Sequence, residues 1–358
     1  HMEIVFSHIT SLEFLRQWSR NHPLTLREFH DLRPRDTGHL PASRLRSFRS
    51  LARAAATETA VRAVIEDVQR PSLKRALEER WARAATGHPL HILAQPKEGR
   101  HPTKHVRTHQ LAALLPRGAF LEIAPSVAVC SPELAFIQMA ETLSFGGLIA
   151  LGYELCGCYP LDTDQPSTLV RSPLTTPDRI ASFANRAARI KGVQRARVAA
   201  RFVRAKSASV KETEMAALLL TPARWGGMGL PPALANEPVA LSKSATRIGR
   251  SQRAVCDFLW PQFHVAVEYD GLTSHTQRHQ QARDSRRRDA LTADGLDVIM
   301  VTSSQIDSIS EFIEIANAIA RKAGRRIPDR PPSFHRRHLQ LRHELRVFHH
   351  TQFPPPRP

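Results

Sequence analysis

The residues best suited to chemistry are carboxylates crowded into one short stretch. From His264 to Tyr269 the sequence alternates, which predicts a half-buried strand with Val265, Val267 and Tyr269 on one face and Ala266, Glu268 and Asp270 on the other. Asp257 precedes them by one hairpin, across a break at Trp260-Pro261. Neighbouring carboxylates repel one another unless a cation or raised pKa values relieve them. Hard oxygen donors with room for water suit Mg2+ (or Mn2+), which orients a water and stabilises charge on a scissile phosphate. The chemistry expected is phosphodiester hydrolysis. A plain hairpin centred on Trp260-Pro261 does not set Asp257 directly opposite Glu268, so register alone does not join the two.

These groups need a frame, and the sequence supplies one. Gly271 ends the strand, a helix is expected from about Gln277 to Ala293 with Gly295 as its left-handed cap, and Asp297 to Val301 returns as a mostly apolar strand. Strand, crossover helix and strand imply parallel pairing. Upstream, Ser209-Val-Lys-Glu212 opens the helix ETEMAALLL, so Glu212 reads either as half of a capping box or as a further acid of the site, and the roles are compatible. Asp257 beside a Trp-Pro turn and Asp270 before Gly271 also have readings as turn residues. His275 and His279 could face a phosphate or solvent, or share a zinc ion, but lack a matching Cys or His pair. Arg283, Arg286, Arg287 and Arg288 alternate with Asp284 and Asp289, which allows pairing along the helix or contact with phosphates.

The series Asp257-Phe-Leu-Trp-Pro261, Val267-Glu268-Tyr269-Asp270-Gly271, His275, Asp284 with Arg287 and Leu291, Gly295 and Val301-Thr302 resembles the Vsr-like endonuclease branch of the PD-(D/E)xK superfamily. The same domain type is found at the C-terminus of AbiEi-like antitoxin proteins. The resemblance is specific across 256–305 and weaker upstream, through Ser209 to Asn236. It implies a restriction-endonuclease-like core, a mixed sheet flanked by helices, with Asp257 and Glu268 as metal ligands. Glu212 becomes an outer acidic member and His275 an auxiliary polar group near the scissile phosphate. The sequence departs from the pattern at Asp270, where the superfamily usually has Lys; an anion there removes a cation that would stabilise developing charge.

The wider composition agrees with a polyanionic partner. Across 358 residues, 51 Lys plus Arg stand against 33 Asp plus Glu, a net charge of +18, most of the surplus being Arg. Such an excess favours phosphate binding through counterion release, with DNA the expected polymer and RNA an open alternative. His1-Met2 reads as a cloning scar. No apolar run is long enough for a membrane span, the start does not resemble a signal peptide, and the four cysteines read as buried free thiols, so a cytoplasmic protein is expected.

Apolar content of 42% suffices for two cores. The chain divides into an α+β module over 3–176, a basic linking helix over 177–205, a nuclease-like α/β domain over 206–325 and a basic, Pro-rich tail over 326–358, expected as a short basic helix ending in an extended proline-rich stretch. The first module reads as helical from Ile4 to about Ala85, then as short strands at 91–94, 119–123 and 127–130, with Ser131-Pro132 opening another helix. Arg325, Arg326 and the tail join the Arg-rich helix as expected phosphate contacts. Two functions are thus expected in competition: a Mg2+-dependent DNA endonuclease of defence or repair, and an antitoxin-like or regulatory DNA binder, with a toxin or effector partner, that keeps the fold without turnover.

Overall fold

The computed structural model describes residues 2–32, 45–46, 53–54, 57–94, 103–110, 115–159, 170–270, 278–324 and 330–352. Contacts divide the chain into two units. One gathers His1–Pro23, Arg35–Leu148 and Ser172–Arg201, and the other Leu24–Pro34, Ile149–Arg171 and Phe202–Pro358. Contiguous boundaries at 176 and 205 do not follow this division, because 172–201 joins the first unit and short upstream segments join the second. Both units are mixed α/β.

The first unit is built around β1 (Met2–Phe6), not the helix expected from Ile4. Ile4, Val5 and Phe6 are fully buried, a run too short for a helix and apolar on both strand faces. Helices α1 (His8–Arg20), α2 (Glu58–Glu66) and α3 (Pro71–Ala84) follow. The sheet continues with β2 (Leu90–Ala94), β3 (Val106–Gln110), β4 (Phe120–Ala124) and β5 (Val127–Cys130). Strand β1 pairs in parallel with β5 and antiparallel with β2, while β2 and β3 run parallel. Two-residue strands at Leu45–Arg46 and Arg53–Ala54 extend it. Strand β3 was hidden in the sequence because VRTHQ buries only Val106 and Thr108.

Helix α4 (Pro132–Met139) starts as expected, with the Ser131 hydroxyl accepting from Leu134 N at 3.3 Å. The expected basic helix over 177–203 is instead broken into α5 (Pro177–Arg186) and α6 (Val193–Ala200). Arg189 (φ 61) and Gly192 (φ 81) take left-handed conformations between them, and a Cβ on Gly192 would lie 2.8 Å from the Ile137 carbonyl. Several of its arginines serve the fold: Arg179 pairs with buried Glu133 at 3.0 Å, Arg195 donates to the Ala140 carbonyl at 2.7 Å, and Arg197 to that of Ala184 at 3.0 Å.

The second unit runs α7 (Val210–Leu220), β6 (Leu234–Ala240), β7 (Arg253–Trp260), β8 (Val265–Asp270), α8 (Arg278–Ala293), β9 (Asp297–Thr302), α9 (Ile309–Lys322) and α10 (Phe334–Gln352). Its sheet has the order β6-β7-β8-β9, antiparallel across the first two joins and parallel across the last, where α8 makes the crossover. This is the mixed sheet flanked by helices expected from the sequence. Leu291 of α8 packs with Ala254, Cys256, Leu259 and Ala266 of the sheet. Gly295 (φ 86) closes α8.

The short basic helix expected after Arg325 is present as Phe334–Gln352, but it is packed into the unit instead of forming a free basic arm. Helix α10 buries Phe334, Leu341, Leu345 and Phe348 and packs against α7. Its cations are largely engaged inside the unit: Arg342 donates to the Ile306 carbonyl, and Arg346 bonds Glu214 at 2.8 Å and Asp307 at 2.6 Å. Fully buried His338 receives Arg342 Nε at 2.7 Å on Nε2 and donates Nδ1–H to the Gly226 carbonyl at 2.6 Å. Gly226 must lack a side chain there, since a Cβ would sit 2.2 Å from the Arg337 carbonyl.

This arrangement fixes His338 as a neutral ring, and burial pushes its pKa down to about 4. The unfolded chain therefore binds the extra proton first. Stability contributed here is full above the unfolded value near 6.5 and is lost as pH falls towards about 4, amounting to roughly 3 kcal/mol. Urea unfolding measured between pH 7 and 4 should show this slope, and His338→Gln should remove that part of it. An unchanged slope in the variant would contradict the assignment.

Among the described residues, no helix is long and apolar enough to cross a membrane. All four cysteines are buried free thiols, and burial raises Cys256 to about 12, which makes it unreactive.

Candidate functional site

The hairpin between β7 and β8 is longer than a plain Trp-Pro turn. Pro261–Phe263 form a 3-10 turn and His264 takes a left-handed φ of 54. The added residues shift the register to Phe258↔Val267, Leu259↔Ala266 and Trp260↔Val265. Continued by one step, this ladder sets Asp257 opposite Glu268, where cross-strand neighbours share a face. The Asp257 carboxylate accepts from Tyr269 N at 2.6 Å, which pins it to the partner strand.

Glu212 reaches the same cluster from the start of α7. Its backbone N–H donates to Ser209 Oγ at 3.1 Å, half of the expected capping box. Its carboxylate turns instead to Ala208 N and Asn236 Nδ2, each at 2.8 Å. Capping and site membership coexist.

Burial governs the electrostatics of all three acids. Desolvation, followed by the charges of Glu212 and Glu268, holds Asp257 well above the ordinary carboxylate range. Glu212 is raised by desolvation, against hydrogen bonds that pull it down, with Glu268 adding to the rise. Glu268 is raised by desolvation although the Arg287 guanidinium opposes the shift. Arg287 on α8 donates to Glu268 Oε2 at 2.8 Å and to Asp284 at 3.0 Å. The pairing reading of that helix holds for Arg287 and Asp284, and the same arginine also enters the acidic cluster. Glu268 Oε1 is buried and has no hydrogen-bond partner among the described residues.

Of the three acids, Asp257 borders a cleft of about 790 Å³, lined also by Asn236, by His30 and Asp31 of the short helix Leu26–Asp31, and by arginines 27, 250, 253, 283, 286 and 287. Arg250 and Arg253, which the sequence reading missed, bracket the start of β7; an arginine pair just before the acidic strand was the available signal. Arg286 also bonds its own helix at the Ala282 carbonyl, 3.1 Å away. Arg288 is half-exposed, and its charge is felt at Glu268. His275, Arg325 and Arg326 lie outside the described residues.

Asp270 ends β8 half-buried, on the face of Glu268 and opposite Thr302 of β9. It lies outside the buried hydrogen-bonded set, so Asp270→Asn should change stability by no more than about 0.5 kcal/mol. Thermal unfolding checks this, and a loss as large as that of Glu268→Gln would put Asp270 within the set.

The three acids are electrostatically joined, yet they are not drawn tightly together. Among the described residues, the group whose potential ligand atoms all lie within 4.8 Å of one another is His8, His91 and His109 of the first unit. No sequence spacing announced it. Comparisons with family models, curated proteins and solved structures find no match.

Proposed function

We propose that this protein is a metal-dependent DNA endonuclease of defence or repair, with its site on the β7–β8 hairpin. The observation that carries the reading is a cross-strand carboxylate pair, Glu268 buried and Asp257 half-buried, with Asp257 lining a cleft rich in arginines. A polyanion is drawn in by the arginines, and the acids then meet its backbone.

The donor set suits a hard divalent cation such as Mg2+ or Mn2+. All donors are oxygens, one buried oxygen of Glu268 has no other partner among the described residues, and the raised acids gain from a neighbouring positive charge. Asp257 and Glu268 would hold the ion, with Glu212 beside them. When bound, such an ion lowers the pKa of a water and offsets charge on the phosphate. Arg283 and Arg286 then hold flanking phosphates and fix the register of the strand. Arg287 supplies a cation beside Glu268, where Asp270 leaves the strand position usually held by Lys without one.

A second reading has specific support. Asp270 replaces that Lys, and the Glu268–Arg287 ion pair is compatible with a DNA-binding protein that performs no turnover and answers to a toxin or effector partner. Incubation with supercoiled plasmid, single-stranded DNA and RNA, with and without Mg2+ or Mn2+, separates the readings. Metal-dependent nicking of DNA is expected. Binding without turnover in either metal would overturn the enzyme, and cleavage of RNA alone would overturn DNA as substrate.

A further inference from the structure

The three histidines of the first unit come from separate elements. His8 sits at the turn from β1 into α1, in a left-handed conformation (φ 50). Its backbone N–H is held by Gln138 Oε1 at 3.0 Å, and its Nδ1 lies 3.0 Å from Ser7 Oγ, which leaves Nε2 as its uncommitted nitrogen. His91 on β2 and His109 on β3 share one face of the parallel pair, since the register sets Leu93 opposite His109. His91 is anchored at its backbone, its N–H donating to Thr10 Oγ1 at 2.9 Å and its carbonyl accepting from Ser7 N–H at 2.9 Å. Its Nδ1 is 3.0 Å from His109 Nε2, and the His8 ring stacks on His109 at 3.8 Å between centroids.

Tetrahedral zinc with Zn–N bonds of about 2.0–2.1 Å requires nitrogens about 3.3 Å apart. The His91–His109 separation is already close to this, and the remaining distances, all within 4.8 Å, require only rotation of the rings. We propose that His8, His91 and His109 form a binding site for a zinc-class transition-metal ion, with three imidazole ligands and a fourth position for water or a substrate oxygen.

The ligand chemistry separates this site from the acidic one. Imidazoles select Zn2+, Co2+, Ni2+ or Cu2+ over Mg2+, which prefers carboxylate and water oxygen. Ser7 acts as the outer partner that fixes the orientation of a ligating ring. Arg107 and Arg80 oppose a cation, but Arg80 is ion-paired with Glu13 at 2.6 Å and Arg107 is exposed to screening solvent. The rival arrangement is a His91–His109 hydrogen bond with His8 merely stacked on it.

The test uses the full chain after removal of metal with a chelator. Co2+ titration should give the visible bands of tetrahedral nitrogen ligation, and Zn2+ should displace it at one tight equivalent per chain. His91→Ala and His109→Ala should each weaken that equivalent by about 100-fold or more, and Ser7→Ala by about tenfold. Asp257→Ala with Glu268→Ala should leave it intact, which keeps the outcome separate from that of the endonuclease reading. If an alanine variant does not fold, protection of wild-type histidines from acylation by Zn2+ replaces it as the readout. Absence of the tetrahedral spectrum in the wild type, or tight binding unchanged by loss of His91 and His109, overturns the proposal.

Discussion

Replacing Asp257 or Glu268 with alanine should abolish metal-dependent cleavage, with a loss of at least roughly 1,000-fold in each case. Lewis-acid stabilisation of a phosphoryl transition state is worth several kcal/mol, and each ~1.4 kcal/mol is a factor of ten in rate. Each substitution removes one side of the cross-strand pair while leaving the β7–β8 ladder in place. The variants should retain DNA affinity, because the proposed phosphate contacts belong to the arginines lining the cleft. Single-turnover cleavage together with equilibrium binding checks both halves. A parallel loss of binding and cleavage would assign the acids to folding.

The second large effect concerns Arg287. Its partner Glu268 is only 4% exposed, whereas the Arg287 side chain is 38% exposed. Arg287→Ala leaves Glu268 without its countercharge and should cost about 2 kcal/mol, between the roughly 0–1 of exposed pairs and the about 3–5 of fully buried ones. The pH dependence carries a sign. Glu268 is raised by burial even in the wild type, so the folded state holds its proton longer than the unfolded chain, and stability falls as pH rises from about 4.5 through the folded value. Removing Arg287 raises that value further. The deficit should therefore be small well below pH 4.5, where both states are protonated, and should grow as pH rises. Mg2+ or Mn2+ should raise the melting temperature of Arg287→Ala more than that of the wild type. A deficit that does not change with pH would mean that the arginine acts through packing.

What the sequence disclosed was local. The strand, helix and strand after Trp260 follow from alternation and from Gly295, and they stand where expected. The hairpin register did not, because it depends on the 3-10 turn at Pro261–Phe263 and on a left-handed His264 that composition does not announce. Helix α10 was expected as a short basic helix, but its packing was not legible because its Arg and His residues obscure the apolar stripe Phe334, Leu341, Leu345 and Phe348; His338 and Arg342 are tolerated inside only because distant carbonyls accept from them. Strand β1 was taken for helix because a short apolar run has no period of its own. Arg287 was undecided between helix pairing and phosphate, and only the packing of α8 against the sheet brings it to Glu268. The histidine cluster depends on the β2–β3 register and a single left-handed residue, which are non-local facts.

The proposed chemistry is metal-dependent phosphodiester hydrolysis at the Asp257–Glu268 pair. Nicking of supercoiled plasmid in Mn2+ by the wild type and by Asp257→Ala with Glu268→Ala, at protein concentrations adjusted to equal DNA occupancy, tests it most directly. Nicking by the wild type should stop on chelation and be absent from the double variant. Nicking that persists in the double variant at equal occupancy would contradict it, since the reaction would then have to arise elsewhere in the chain.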